Sequence, residues 1–251
     1  MCDNTRLANA LTGKQQRNGG MNKQELLTCA ISRGLDAKKN MTRPKLISLF
    51  NPPAEKTVSI PQTIQAVVKL LPTLKREYGG IIDFKLNGSF EAMSMIPGEA
   101  TTVKGTDIPD YEVMWHNHPK AQEGYISLPS FADAQSLILR KHTQYSLIFT
   151  DIGTYIQWTP DRYNSKQHLK LFLESAKNLV SVEALYDSIT HDSASNVPFM
   201  EQFISGVKNF LAVETLFVPW GQPLTFKIYA YEPTVHRGRL TKSQKAKFDK
   251  Q

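Results

Sequence analysis

Apolar residues in the first fifty positions are spaced for two short helices. The first predicted helix carries them at helical spacing and ends near Gly34: Leu26, Leu27, Ala30 and Ile31. Thr42 and Pro44 supply a capping residue and an early proline, which predict the start of a second helix. Residues 21–51 are therefore expected to form a helix, an extended turn and a second helix. Residues 1–20 show no sustained period and are interpreted as a flexible lead.

Helical and strand-like patterns alternate in the body, residues 57–235. Paired prolines at 52 and 53 mark a linker before it, because proline cannot continue a helix. The predicted helices cover 61–76, 130–140, 164–180 and 198–211, and the predicted strands cover 81–86, 90–96, 111–115, 145–150, 154–158 and 224–231. Asn87-Gly88 predicts a hairpin between the first two strands. The fold class expected is α/β (α+β), a mixed β-sheet flanked by helices and preceded by a small helical module.

Charge divides the chain into basic ends and an acidic body. The total is Lys+Arg 30 against Asp+Glu 23. Residues 1–50 hold 9 basic and 3 acidic residues, the tail 236–251 holds 6 and 1, and the rest is left with 15 and 19. No apolar run is long enough to span a membrane, and no secretory signal begins the chain. Cys2 and Cys29 are too few for a disulfide framework, so a reducing compartment, cytoplasmic or nuclear, is expected.

The segment with the most chemical information is Trp115-His116-Asn117-His118-Pro119. Two histidines at i and i+2 on a strand project from the same face, so both imidazoles can reach one metal ion. Asp133, early in the next predicted helix, can add an oxygen ligand. Two histidines and one aspartate leave a coordination position open, which is the pattern of a catalytic rather than a structural zinc site. Such a site also needs a carboxylate that moves protons, and Glu77 precedes the Gly-Gly entry to a predicted strand.

The set of Glu77, His-x-His-Pro and Ser130-x-x-Asp133 resembles the MPN/JAMM (JAB-like) zinc metalloprotease family. The resemblance implies an MPN/JAMM-like fold, with zinc held by His116, His118 and Asp133. It implies Glu77 as general base and acid, and Ser130 as a hydrogen-bond donor to the oxyanion. It further implies a deubiquitinase-like hydrolase acting on isopeptide or peptide bonds of ubiquitin or a ubiquitin-like protein.

Each part of this pattern has an alternative interpretation. Ser130-x-x-Asp133 also fits a helix capping box, which needs no chemistry. The eleven residues 119–129 exceed the family's usual spacing between the second histidine and the serine, so Ser127 is a second choice for the oxyanion donor. Glu91 and Glu99 are weaker substitutes for Glu77, since neither precedes a Gly-Gly strand entry. The body could also be a catalytically inert scaffold.

Residues 21–51 resemble SAP-like helix-extension-helix modules. The matching positions are Gly34-Leu35 and Lys45-Leu46-Ile47. The resemblance implies DNA binding, and the local positive charge would suit a nucleic acid. A helical pair that only packs on the body is the alternative. Nucleic acid contact by residues 21–51 and by the tail 236–251, in a structural or assembly protein, is therefore the second function expected. The sequence leaves the oligomeric state open.

Overall fold

A computed structural model describes residues 2–33, 35, 37–51, 55–85, 87–99, 107–120, 127–160, 167–176 and 197–229. Its helices are α1 (Asn4–Leu11), α2 (Lys23–Ser32), α3 (Arg43–Phe50), α4 (Gln62–Val68), α5 (Phe131–Leu139), α6 (Gln167–Ala176) and α7 (Val197–Leu211). Its strands are β1 (Glu55–Ser59), β2 (Tyr78–Phe84), β3 (Phe90–Met93), β4 (Ile96–Pro97), β5 (Val113–Asn117), β6 (Tyr145–Phe149), β7 (Gly153–Trp158), β8 (Glu214–Pro219) and β9 (Thr225–Tyr229). The predicted tail 236–251 and the middle of the 119–129 loop lie outside the described residues.

The N-terminal module contains three helices rather than the two predicted. The interpretation of residues 1–20 as a flexible lead was wrong for 4–11, which form α1. The Asp3 carboxylate caps this helix by accepting hydrogen bonds from the Thr5 and Arg6 amides. Leu7 and Ala10 face the module core, which they share with Leu26, Leu27 and Leu46 of α2 and α3. The four apolar residues of this short helix, two of them alanine, were too few to show a period, although they suffice once the other helices provide a surface.

Cys2 and Cys29 form a disulfide in this module. Cys29 packs on the apolar side of α2 with 2% of its surface exposed. Ile31, predicted on the same side, is instead 57% exposed. Because disulfides persist mainly in oxidising environments, the bridge does not support the reducing compartment that was expected from the low cysteine count.

Seven strands form one mixed sheet in the order β3-β2-β5-β6-β7-β8, with β4 paired to β2 outside this path. Strand β5 is antiparallel to β2 and parallel to β6, and the other pairs of this path are antiparallel. Strands β1 and β9, from opposite ends of the body, pair as a separate antiparallel ribbon. The predicted fold class, a mixed β-sheet flanked by helices, is confirmed by this architecture.

The sheet is covered on both faces. Alternate residues of the central strands, including Trp115, Leu147 and Phe149, pack with the β1–β9 ribbon and α4. Ile148 and Tyr155 point the other way, toward Leu128 and Ile204 of α7. Helices α5, α6 and α7 form a further apolar cluster. A central strand buried on both faces explains why β5 and β6 contain almost continuous apolar runs.

Most predicted elements are present, and the differences have local causes. The helix predicted over 61–76 ends at Val68 and gives way to a 3-10 turn at Leu71–Thr73, because Pro72 lacks the amide that an α-helix needs. The predicted hairpin is confirmed, and Gly88 adopts φ +86°, a conformation that favours glycine. Strands β1 and β8 were not predicted. Among the described residues, every helix is too short or too polar to traverse a bilayer.

Candidate metal centre

Both histidines lie at the carboxyl end of β5, the strand between β2 and β6. His116 is inside the strand and His118 follows its last residue, with the His118 amide still bonded to the Phe149 carbonyl of β6. The two-residue spacing places both rings on the same face of the sheet. Their Nε2 atoms are 3.1 Å apart. The expectation that this pair converges is therefore confirmed.

Asp133 reaches the same point from the first turn of α5. Ser130 is the N-cap, and a complete capping box holds Asp133: its amide donates to Ser130 Oγ, and its carboxylate accepts from the Ser130 amide. Asp133 Oδ1 lies 3.0 Å from His116 Nε2, and Oδ2 lies 3.2 Å from His118 Nε2. Asp133 therefore belongs both to the capping box of α5 and to the ligand cluster.

The dimensions of this cluster suit a small cation. Two ligands of a tetrahedral zinc at about 2.0–2.1 Å are about 3.3 Å apart, close to the observed separations. Within the described residues, His116, His118 and Asp133 form the group that could hold a metal ion. All three side chains are largely shielded, with 9%, 15% and 13% of their surface exposed. Two imidazole nitrogens and a carboxylate oxygen fit a borderline-soft divalent ion, with room left for a further ligand.

The electrostatics of the cluster keep its carboxylate ionised. Burial would raise the pKa of Asp133, but His116 and His118 hold it well below its usual range. Burial would likewise lower the pKa of His118, yet Asp133 first, and then Glu77 and the Leu128 backbone, raise it above its ordinary value. His118 Nε2 faces Asp133 Oδ2 at 3.2 Å, so this nitrogen is the one that His118 presents to the cluster.

Glu77 lies beside the cluster because of the register between β2 and β5. Gly79 is paired with His116, and continuing this register by two residues sets Glu77 level with His118 on the same face. The charge of Glu77 raises the pKa of His118, which indicates that the two side chains lie near each other. Glu77 is 7% exposed. The structure therefore brings the three nominated ligands together, with Glu77 near enough for its charge to act on His118.

Asn117 is a member of this region to which the sequence interpretation gave no role. It is fully buried between the two histidines, and its side chain points to the opposite face. Its Oδ1 accepts from the Tyr78 amide at 2.7 Å, and its Nδ2 donates to the Arg76 carbonyl at 3.3 Å. A carboxamide within a buried strand needs hydrogen-bond partners, so an asparagine between two strand residues was a sign in the sequence that such partners exist. The sequence did not show which residues they are.

The hydroxyl groups of both predicted serines take part in hydrogen bonds. Ser130 Oγ donates to Asp133 Oδ2 at 2.8 Å, so its hydroxyl faces a proposed ligand. Ser127, the second choice, donates to the Pro119 carbonyl at 2.9 Å and closes the base of the 119–129 loop. The role of Ser130 as an oxyanion donor stays a prediction.

The other acidic candidates lie elsewhere. Glu91 and Glu99 are both exposed. Glu91 acts on Tyr111, away from the cluster, and Glu99 contributes only its carbonyl, which accepts the Glu77 amide. Of the remaining histidines, His142 lies beside Asp110, whereas His191 and His236 fall outside the described residues.

Comparison with known proteins found no matching family model, no matching curated protein and no matching solved structure.

Proposed function

We propose that this protein is a zinc-dependent isopeptidase or peptidase of the JAMM type. Its substrate would be an isopeptide or peptide bond at the C-terminus of ubiquitin or a ubiquitin-like protein. One observation carries the proposal: His116, His118 and Asp133 converge at a strand end, where the charge of the buried Glu77 acts on His118. A structural site would close the fourth position with another protein ligand, and the ligand group of the described residues contains three.

The residues divide the work of hydrolysis between holding and proton transfer. His116, His118 and Asp133 would hold zinc, which supplies Lewis acidity to a carbonyl and lowers the pKa of a coordinated water. Glu77 would accept the proton of the attacking water and return it to the leaving amine. Its burial beside His118 keeps this carboxylate out of bulk solvent. Ser130 would donate to the oxyanion after its hydroxyl turns away from Asp133.

The substrate class follows from the resemblance noted in the sequence. Two glycines at the end of a ubiquitin-type tail present no side chains, so their backbone can approach a narrow cleft closely. The polar Ser130–Asp133 cap and the buried Glu77 line the same end of β5. The 119–129 loop, which begins directly after His118, would contribute to the selection of the conjugate.

The decisive experiment measures zinc content and cleavage in parallel. Purified protein is expected to hold about one zinc per chain and to cleave isopeptide-linked ubiquitin dimers. Glu77→Gln should retain zinc and lose activity by at least about 10²-fold, in line with the loss of a general base. Glu99→Gln, an exposed glutamate whose backbone contacts Glu77, is the matched control and should behave as wild type. Zinc-loaded protein that leaves every tested linkage intact would favour the scaffold alternative.

We also propose, as a second function, that the N-terminal module binds nucleic acid. Most of the exposed charged side chains among its described residues are cations, including Lys23, Lys38, Lys39 and Lys45, and Glu25 is paired with Arg6. Positive charge left on the surface attracts phosphate backbones without sequence preference.

Charge reversal tests this second function in the full chain. Replacing Lys38, Lys39 and Lys45 together by Glu should weaken duplex DNA binding strongly and reduce the salt dependence of the binding that remains. Replacement of Lys69, Lys75 and Lys85, exposed lysines of the body, is the control with the same charge change. Equal losses in both variants would show that net charge, rather than the module, attracts the DNA.

A further inference from the structure

We infer that Asn117 is a positioning residue that fixes the backbone of Glu77. The inference rests on the proposed function, because it assigns Glu77 the role of base. It concerns a contact that joins two strands: the carboxamide of Asn117 on β5 bonds to the chain immediately before and after Glu77.

The two hydrogen bonds enclose a single residue. Asn117 Nδ2 donates to the Arg76 carbonyl, which belongs to the peptide preceding Glu77. Asn117 Oδ1 accepts from the Tyr78 amide, which belongs to the peptide following it. Together these bonds set the orientation of both peptide planes that flank the Glu77 Cα, and so constrain the φ and ψ angles of Glu77.

The opposite edge of the same residue is also held. The Glu77 amide donates to the Glu99 carbonyl, and the Glu77 carbonyl accepts from the Gly98 amide. Ordinary ladder bonds between β2 and β5 end near Gly79 and His116, so the Asn117 side chain continues the pairing where the strand backbones separate. Glu77 therefore has backbone support on both sides, and Asn117 supplies one of them.

Asn117 sits on the strand between the two histidines but faces away from them. Successive side chains on a strand point to opposite faces, so the carboxamide does not share the face of His116 and His118. This geometry separates two roles that are adjacent in sequence. Loss of the carboxamide should displace the base while the histidines remain available to the metal.

The test compares Asn117→Ala with wild type in the full-length protein. We expect the affinity for cobalt(II) to change by less than about threefold, while kcat on ubiquitin dimers falls by about 10²-fold at nearly unchanged KM, the effect of a 1 Å misplacement. The Tyr78 amide should exchange with solvent at least about tenfold faster, because its acceptor is gone. Crystal structures should show the Glu77 carboxylate displaced from His118 by about 1 Å.

Two further variants keep the test decisive. Asn117→Thr also removes the carboxamide but retains a strand-favouring side chain, and it is expected to match Asn117→Ala if the alanine variant does not fold. Ser94→Ala is the matched control: Ser94 Oγ accepts the Ile81 amide of the same strand β2 and is buried, but it lies away from Glu77. It should lower stability without affecting kcat.

The outcomes separate this inference from the proposed function. If the wild-type protein cleaves nothing, the proposed function fails. The role of Asn117 is then still decided by two measurements: hydrogen exchange of the Tyr78 amide and the position of the Glu77 carboxylate in the variant. An unmoved Glu77 in Asn117→Ala would overturn the inference. A cobalt(II) affinity that falls about tenfold or more would also overturn it, because outer-shell effects on metal ligands have that size. If kcat fell as much in Ser94→Ala as in Asn117→Ala, the role of Asn117 would be structural only, and the inference would be overturned.

Discussion

Two partly buried carboxylates, Asp110 and Asp133, lie near opposite ends of β5 and differ in what surrounds them. Asp110, just before the strand, accepts hydrogen bonds from the amides of Lys141, His142 and Thr143 and from the Thr143 hydroxyl, at 3.0–3.2 Å. Asp133, beyond the other end, faces the Nε2 atoms of His116 and His118. Both carboxylates lie near histidine, and both have a lowered pKa.

The comparison shows that a lowered pKa alone does not identify a functional site. Burial would raise the pKa of Asp110, but the His142 amide, the charge of His142 and the neighbouring donors lower it overall. These donors are mainly backbone groups, which can only give hydrogen bonds. The partners of Asp133 are imidazole nitrogens, which become electron-pair donors once neutral. The kind of partner therefore distinguishes a structural carboxylate from a ligand.

The largest effect is expected from Asp133→Ala. Zinc affinity should fall by about 10²–10³-fold, because structural sites bind zinc with about 10–16 kcal/mol through four protein ligands, which is roughly 2.5–4 kcal/mol for each ligand. Competition titration with a chelator measures the change. Asp110→Ala is the control. It should change the zinc affinity by less than about threefold, because Asp110 is neither a proposed zinc ligand nor a hydrogen-bond partner of one. Similar losses in both variants would contradict the distinction between the two carboxylates.

Asp110→Ala should instead destabilise the fold by about 2–4 kcal/mol. The substitution removes the carboxylate that accepts from three backbone amides and one hydroxyl, and each hydrogen bond lost by a shielded donor costs about 1–3 kcal/mol before water compensates. Urea unfolding of the metal-free protein measures the free energy of unfolding. Asp110→Asn, which keeps one oxygen acceptor, should lose less. A variant as stable as wild type would show that the cluster around Asp110 is not structural.

Acid should remove the contribution of Asp110 to stability. A carboxylate with a folded pKa below its unfolded value stabilises the protein fully above the unfolded pKa, about 3.9, and loses this effect as pH falls through the folded pKa. The difference in unfolding free energy between wild type and Asp110→Asn should shrink as the pH falls below about 4. Asp133 titrates in both proteins, so its effect cancels. A difference that grows in acid would contradict the prediction.

The smallest effect is expected from Ser130→Ala. Loss of the α5 N-cap should cost about 1 kcal/mol of stability. Because Ser130 also bonds to the Asp133 carboxylate, zinc affinity should fall by about tenfold, as for an outer-shell partner. Asp3→Ala, which removes the α1 N-cap, should cause the first loss without the second. A further fall in kcat by about 10²–10³-fold at saturating zinc would support the predicted oxyanion role.

The elements of the fold were predictable where the relevant forces are local. The hairpin at Gly88, the start of α3 at Arg43 and the capping box at Ser130 depend on residues within one turn of each other. Helix α1 was missed because its apolar side is short and gains stability only against α2 and α3. Strand β1 was missed for a similar reason: its partner β9 lies at the other end of the body.

For the candidate site, local patterns in the sequence were enough to tell which side chains share a face. The period of two in β5 places His116 and His118 together, and the capping box places Asp133 on the first turn of α5. Which strands and helices meet at the site depends on the tertiary structure. The register of β2 against β5 sets Glu77 level with His118, and it gives Asn117 its partners at Arg76 and Tyr78. Strand register depends on long-range pairing and burial, which a local pattern of residues does not encode.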